Sequence, residues 1–127
     1  MPEPFVMRQK IEPNRTERLK ERLSELLERA SSDEEQVREV WDEEGLHTMS
    51  LFVEHAADGE YLVWYVEADD VDRLIEARMD STHPLHDLED DLMAEVLEDP
   101  TQTGDVEPLF HGVNPNRPQE FVAKSMK

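Results

Sequence analysis

Two short runs rich in valine, leucine and aromatic residues determine the local structure at the centre of the chain. They cover residues 47–55 and 61–67, and the segment between them contains Asp58 and Gly59. Asp-Gly is a favoured pair in the tight turn of a β-hairpin, because both residues tolerate positive φ angles there. The pattern therefore predicts a β-hairpin, and one face of its strands must pack on helices.

Apolar residues recur at helical spacing on both sides of this hairpin. Residues 16–30 predict a helix, which is followed by a shorter helical piece that stops at Gly45, a typical residue after a helix C-terminus. After the hairpin, Asp69 is expected to cap a helix whose apolar stripe ends at Met79. A longer helix is predicted over residues 84–99, with a proline at its first position.

Two further strands are predicted near the ends of the chain. Residues 5–12 alternate apolar and polar side chains before a Pro-Asn turn, and residues 106–113 have enough apolar residues for a last strand. The order is then strand, helix, strand, strand, helix and strand, the split βαβ sandwich of a ferredoxin-like α+β fold. We assign residues 1–113 to this single domain, with the helix over 84–99 as an addition, and residues 114–127 to a C-terminal loop and tail.

The chain carries a large excess of acidic residues, with 32 Asp plus Glu, 13 Lys plus Arg and a formal net charge of −19. So acidic a protein repels nucleic-acid phosphates and anionic membranes, and we expect neither as a partner. No apolar run approaches the length of a membrane span, and the absence of cysteine excludes disulfides and thiolate metal sites. A cytoplasmic protein is therefore expected.

The same charge balance is typical of proteins from salt-loving archaea. Nine of the cationic residues are arginine and only four are lysine. Multimolar salt shortens the Debye length to about 3 Å or less, which screens the repulsion among surface carboxylates. The alternative is an acidic protein from a low-salt organism that binds a basic partner.

A family resemblance comes from the stretch between His47 and Pro84. It reads Leu-Phe-Val-Glu-His, then Asp-Gly-Glu-Tyr-Leu-Val-Trp-Tyr-Val-Glu-Ala-Asp-Asp, and Ser-Thr-His-Pro after a helix. This pattern resembles small uncharacterised haloarchaeal proteins of the dimeric α+β barrel type. The resemblance implies that two subunits pair their sheets into a barrel, with small molecules bound inside it or between sheet and helices. It implies no particular activity and no cofactor.

Three histidines, His83, His86 and His111, are the candidates for catalysis by proton transfer. His83 and His86 lie three residues apart at the start of a predicted helix, where they could relay a proton or bind a divalent metal. In the structural alternative, His83 belongs to the helix cap and His86 is half exposed at a domain edge. His111 is included because the last strand would lie beside the first. We assign no metal site.

The candidates for ligand binding are Arg8, Glu54, Trp64, Tyr65 and Glu89. Arg8 could hold an anionic group through its planar guanidinium, or form a structural ion pair with Glu54 or Glu67. Trp64 and Tyr65 are candidate pocket walls, and Glu89 lies at the edge of an apolar helix stripe. Arg78 also lies within its helix stripe, where we expect its charged end to extend to solvent.

These features support two hypotheses about function. The first is a small-molecule binding protein or cofactor-independent enzyme of the dimeric α+β barrel kind. The second is a non-catalytic homodimeric interaction or regulatory domain, in which the histidines are structural. Both include a homodimer, because Phe52 or Trp64 must lie outside the helix-covered core whichever way the sheet faces. No Gly-rich phosphate loop, GxSxG, HExxH or dinucleotide motif is present.

We expect the purified protein to fold and dimerise only as KCl approaches multimolar concentration, because its surface carboxylates must be screened. Light scattering and circular dichroism on the same samples, from low to multimolar KCl, measure both properties. A stable monomer at every salt concentration would contradict the sheet-paired dimer, and complete folding at low salt would favour the basic-partner alternative.

Overall fold

Residues 2–122 are described by a computed structural model, and over this range the chain forms an α+β fold with one antiparallel sheet and four helices. The elements are, in chain order, β1 (Glu3–Lys10), α1 (Thr16–Ser32), α2 (Glu34–Glu44), β2 (Leu46–Ala56), β3 (Gly59–Ala68), α3 (Val71–Asp80) and α4 (Pro84–Val96). The predicted α+β class is confirmed. Met1 and residues 123–127, which include the end of the predicted tail, lie outside the described residues.

The predicted hairpin is confirmed, and its second strand is the centre of the sheet. Strand β3 lies between β1 and β2 and is antiparallel to both. Trp64 is the partner of Met7 on one side and of Leu51 on the other, so these three side chains share a face. That face is covered by helices, and the other carries alternate residues such as Tyr65 and Phe52. We call the second face the open face.

The predicted helices are present, but α4 ends at Val96 and not at residue 99, and α3 differs in two respects. Its N-cap is Asp70, whose carboxylate accepts from the backbone N–H of Asp72, whereas Asp69 pairs with His47 instead. Met79 was predicted to face inward but is exposed. It lies about 140° around the helix from the buried Leu74, because each residue advances by roughly 100°.

The predicted strand over 106–113 is wrong, since no strand occurs between residues 104 and 113. The edge of β1 is instead covered by the chain directly after α4. Leu97 forms a bridge with Ile11, and Thr103 accepts a 3.0 Å hydrogen bond from the backbone of Arg8. This earlier segment already takes the backbone groups along that edge, and Pro108 within the predicted strand has no N–H to donate.

Helix α4 supplies part of the core and is not an addition to a complete domain. The larger of two buried clusters combines residues of the sheet, α1 and α4: Ile11, Leu19, Leu62, Trp64, Leu92, Met93, Val96 and Leu97. The smaller cluster lies under α3 and contains Leu46, Val66, Ala68 and Leu74. Among the described residues, no helix is both long enough and apolar enough to cross a membrane.

We expect Leu92→Ala to lower the free energy of unfolding by about 2–5 kcal/mol, the range for removing a buried leucine and leaving a cavity. Leu92 is only 1% exposed. The matched control is Leu109→Ala, because Leu109 is 91% exposed and its removal leaves no cavity. Urea unfolding at one KCl concentration gives both values. Equal effects of the two substitutions would contradict the assignment of α4 to the core.

Candidate functional site

A cavity of about 110 Å³ lies between the helix-covered face of the sheet and the helices α1, α2 and α4. Its walls are mainly apolar and include Leu27 of α1, Trp41 of α2, Leu51 of β2 and Met93 of α4. Some of the lining side chains, such as Ala30, are only partly buried, so the cavity opens towards solvent between the helices. Such a site favours a molecule with substantial apolar surface.

Four polar residues form one edge of this cavity: Glu44, Arg78, His86 and Glu89. We call them the Glu44 cluster. Glu44 is the last residue of α2 and is 1% exposed. Its Oε1 lies 3.2 Å from His86 Nε2, and its Oε2 accepts a 3.4 Å hydrogen bond from Arg78 Nη1. Arg78 also donates to Glu89 through Nη2. The cluster therefore connects the end of α2 to α3 and α4.

The Glu44 cluster contains more negative than positive charge when both carboxyl groups are ionised and His86 is neutral. Burial raises the pKa of Glu89, and the neighbouring Arg78 only partly offsets that effect. Burial also lowers the pKa of Arg78, but the charges of Glu89 and Glu44 outweigh it and raise that pKa. Arg78 is therefore the permanent cation of the cluster, and one proton can balance the remaining charge.

His86 is the residue of the cluster with an unused polar atom. Its Nε2 faces the carboxylate of Glu44, so this nitrogen carries a hydrogen that the carboxylate can accept. Nδ1 is buried and has no hydrogen-bond partner among residues 2–122. Buried polar atoms are nearly always paired, so Nδ1 is an exception within the Glu44 cluster.

Three of the predicted site residues, His86, Trp64 and Glu89, line this cavity together. In the structural alternative, the position of His83 in the helix cap is confirmed and the half-exposed position of His86 is wrong. His83 caps α4, since its Nδ1 accepts a 3.1 Å hydrogen bond from the backbone of Leu85. His86 is not half exposed but 6% exposed, because this side of α4 packs against the end of α2.

The other predicted site residues, Arg8, Glu54, Tyr65 and His111, lie on the opposite side of the sheet. Arg8 donates from Nε to Glu54 at 2.7 Å, so the predicted ion pair is confirmed, and its guanidinium lies 3.5 Å from the centre of the Tyr61 ring. His111 Nε2 is 3.5 Å from Glu67 Oε2. The sheet therefore separates the predicted residues into two groups, and they do not form one site.

Around Glu67, the open face carries a second small polar group. Burial and a 3.1 Å hydrogen bond donated to Glu67 raise the pKa of Tyr65. His111 Nε2 is buried there without a hydrogen bond within the described part of the chain. The cavity beside the Glu44 cluster is not lined by these residues.

Glu44 was not among the predicted site residues, and Arg78 was predicted to extend its charged end to solvent. Glu44 continues the helical spacing of Val37, Val40 and Trp41, and Arg78 stands four residues after Leu74. A charged residue on an apolar helix stripe needs a buried partner. Two such residues of opposite charge, one on each of two helices, could therefore have predicted this ion pair. The charged end of Arg78 lies between two carboxylates and does not extend to solvent.

The described residues contain no group of three or more histidine, cysteine, aspartate or glutamate side chains arranged to hold a metal ion. His83 and His86 are close, with ring centroids 6.4 Å apart, but the Nδ1 atom of His83 is occupied by the helix cap. The geometry of His86 is therefore better suited to hydrogen bonding and proton transfer.

We expect Glu89→Gln to become more stable relative to the wild type as pH rises. The folded-state pKa of Glu89 is raised above its ordinary value near 4.5, so the folded protein binds this proton more tightly than the unfolded chain. That stabilisation is complete below about pH 4.5 and is lost as pH rises through the folded-state pKa. Between these two pH limits, the difference in the free energy of unfolding between the variant and the wild type grows by about 1.4 kcal/mol for each unit by which the pKa of Glu89 is raised.

Urea unfolding of both proteins from pH 4.5 to 8, at constant KCl, measures this difference. The control Glu76→Gln, on the exposed side of α3, accounts for the loss of one negative charge from so acidic a chain. If the free energy of unfolding of Glu89→Gln relative to the wild type falls with rising pH, the charge of Arg78, and not burial, has the larger effect on the pKa of Glu89.

Searches of curated proteins and of solved structures gave no significant match. Residues 3–117 match the model of a family whose description reads "Family of unknown function (DUF6176)". The matched range includes every helix and strand described above and the whole Glu44 cluster. The chain therefore belongs to this family, whose function is unknown.

Proposed function

We propose that this protein binds a small molecule in the cavity beside the Glu44 cluster, as a binding protein or as a cofactor-independent enzyme. The observation that carries this proposal is the mainly apolar cavity of about 110 Å³, which has the Glu44 cluster as its polar edge. A mainly apolar cavity with a few convergent polar groups is typical of a small-molecule site.

The arrangement around His86 is suited to accepting a proton from such a ligand. Glu44 contacts Nε2 and orients the imidazole, as a carboxylate does for a histidine that transfers a proton. Arg78 pairs with Glu44 and stabilises its ionised form. The apolar walls strengthen these electrostatic interactions, because little water screens them.

Among the three candidate histidines, we place this role at His86. The Nδ1 atom of His83 is used by the helix cap, and His111 lies on the open face. Within the cavity, Trp64 and Glu89 keep the ligand-contact roles predicted for them, whereas Arg8 is paired with Glu54 on the other side of the sheet.

The proposal includes a ferredoxin-like fold and a homodimer of the α+β barrel type in the cytoplasm of a halophile. The position of β3 between β1 and β2, with residues 97–103 along the free edge of β1, supports the fold. The open face carries Phe52, which is 55% exposed, and this apolar surface supports a dimer. The net charge of −19 supports the halophilic origin.

The second candidate function is a non-catalytic homodimeric interaction domain. The observation that favours it is the exposed pair Leu109 and Phe110, in a segment without helix or strand. An apolar pair on so acidic a surface is suited to contact another protein. In that case the Glu44 cluster only connects the helices.

We expect small fragments to bind in the cavity and Ala30→Leu to weaken their binding about tenfold or more, because the larger side chain occupies part of the cavity. Shifts of the Trp64 indole and the Met49 and Met93 methyl signals in NMR spectra report binding at this position. The control is Ala94→Leu, an equal change on the exposed side of α4. If no fragment shifts these signals in the folded protein, the interaction-domain function is favoured.

A further inference from the structure

We infer that the cavity beside the Glu44 cluster binds a hydrocarbon group of about five carbon atoms, and that any polar part of the ligand stays outside its opening. The inference rests on the proposed function and adds the chemical class of the ligand. Three properties of the site support it: the apolar walls, the internal pairing of the polar edge and the volume. A hydrocarbon group has no acidic proton for His86 to accept, so the inference favours a binding protein over an enzyme.

The walls of the cavity offer a ligand almost no hydrogen-bonding groups. Apart from the Glu44 cluster, every described residue that lines the cavity is hydrophobic. The indole N–H of Trp64 is already used, because it donates to Gln9 at 2.7 Å. Met49 and Met93 add flexible, polarisable side chains that adapt to irregular shapes. We therefore expect the cavity to select its ligand by polarity more than by shape.

The polar atoms of the Glu44 cluster are mostly directed at one another. Both carboxylate oxygens of Glu44 are occupied, Oε1 by His86 Nε2 and Oε2 by Arg78 Nη1. Arg78 also donates to Glu89 through Nη2, and Nδ1 of His86 is buried and is not reached from the cavity. A ligand group that needs hydrogen bonds would therefore leave water without gaining equivalent partners in the protein.

A charged group on the ligand is disfavoured even more strongly. Glu44 and Glu89 outnumber Arg78, so a ligand carboxylate would be repelled. An ammonium group would compete with Arg78 for carboxylates that already pair with it. Since the remaining walls are apolar, either charge would lose its hydration without compensation.

The volume of the cavity limits the size of the hydrocarbon group. An engineered apolar cavity of about 150 Å³ stays dry and holds benzene, which has six carbon atoms. The cavity beside the Glu44 cluster has about 110 Å³. In proportion, a group of about five carbon atoms fills it, which is the size of a cyclopentane ring.

Four small ring compounds of equal size test the polarity of the ligand. Cyclopentane is the hydrocarbon, tetrahydrofuran carries an acceptor, pyrrole carries a neutral donor, and pyrrolidine is a cation at neutral pH. We expect cyclopentane to bind about tenfold or more tightly than tetrahydrofuran or pyrrole, because their polar atoms lose water without a partner. NMR titrations of the Trp64 indole and the Met49 and Met93 methyl signals measure these affinities. Pyrrolidine, at concentrations at which cyclopentane saturates the cavity, should leave the signals unchanged.

The size limit is tested with cyclohexane, which has one CH2 group more than cyclopentane. In the wild type it should bind no more tightly than cyclopentane, because the cavity is already filled. Leu27→Ala enlarges the cavity, so there cyclohexane should bind about fourfold more tightly than cyclopentane, the effect of burying one CH2 group. The matched control Leu109→Ala, at a position 91% exposed, should behave as the wild type. Should Leu27→Ala fail to fold, Leu26→Ala in the same wall replaces it.

The outcomes separate this inference from the proposed function. If tetrahydrofuran, pyrrole or pyrrolidine binds as tightly as cyclopentane and Ala30→Leu weakens that binding, the cavity is a binding site but the inference is overturned. A fourfold preference for cyclohexane already in the wild type overturns the size that we infer. If none of these probes shifts the cavity signals of the folded protein, the proposed function itself fails.

Discussion

The contact of Arg78 with two carboxylates is the interaction on which the arrangement of three helices depends. It joins Glu44 at the end of α2, Arg78 in α3 and Glu89 in α4, all at one edge of the cavity. Removing charges from water is costly, and their attraction repays that cost only when every charge keeps a partner. Loss of Arg78 would leave two carboxylates buried together. The cluster thus gives these helices a defined relative position that apolar packing alone does not specify.

The two faces of the sheet have different chemistry for a physical reason. On the helix-covered face, Trp64 donates to Gln9 at 2.7 Å, and the polar groups there are mostly paired inside the protein. On the open face, ion pairs such as that of Arg8 with Glu54 are exposed to solvent and contribute little to stability. His86 lines the cavity on the helix-covered face and His111 does not, which is why His86, and not a residue of the open face, carries the proposed function.

Much of the local structure could be predicted because it depends on neighbouring residues. The turn at Gly59, the cap at Gly45 and the helix start at Pro84 all follow from backbone preferences of single residues. The strand over 106–113 was wrong because strand formation depends on a partner edge, and residues 97–103 reach that edge of β1 first. Half of the candidate site was missed for a related reason. Glu44 was not identified, because a single glutamate does not stand out in a chain with 32 acidic residues.

The sequence by itself determined the hairpin, the apolar stripes of the helices and the acidic surface, because periodicity and charge are properties of the chain alone. Only the tertiary structure decided which charges are buried together. Glu44 lies 34 residues before Arg78 and 42 residues before His86 in the sequence. No local sequence pattern records contacts over such separations. The tertiary structure also placed Arg8 and His111 on the other side of the sheet from His86, since a site is formed by packing and not by residue type.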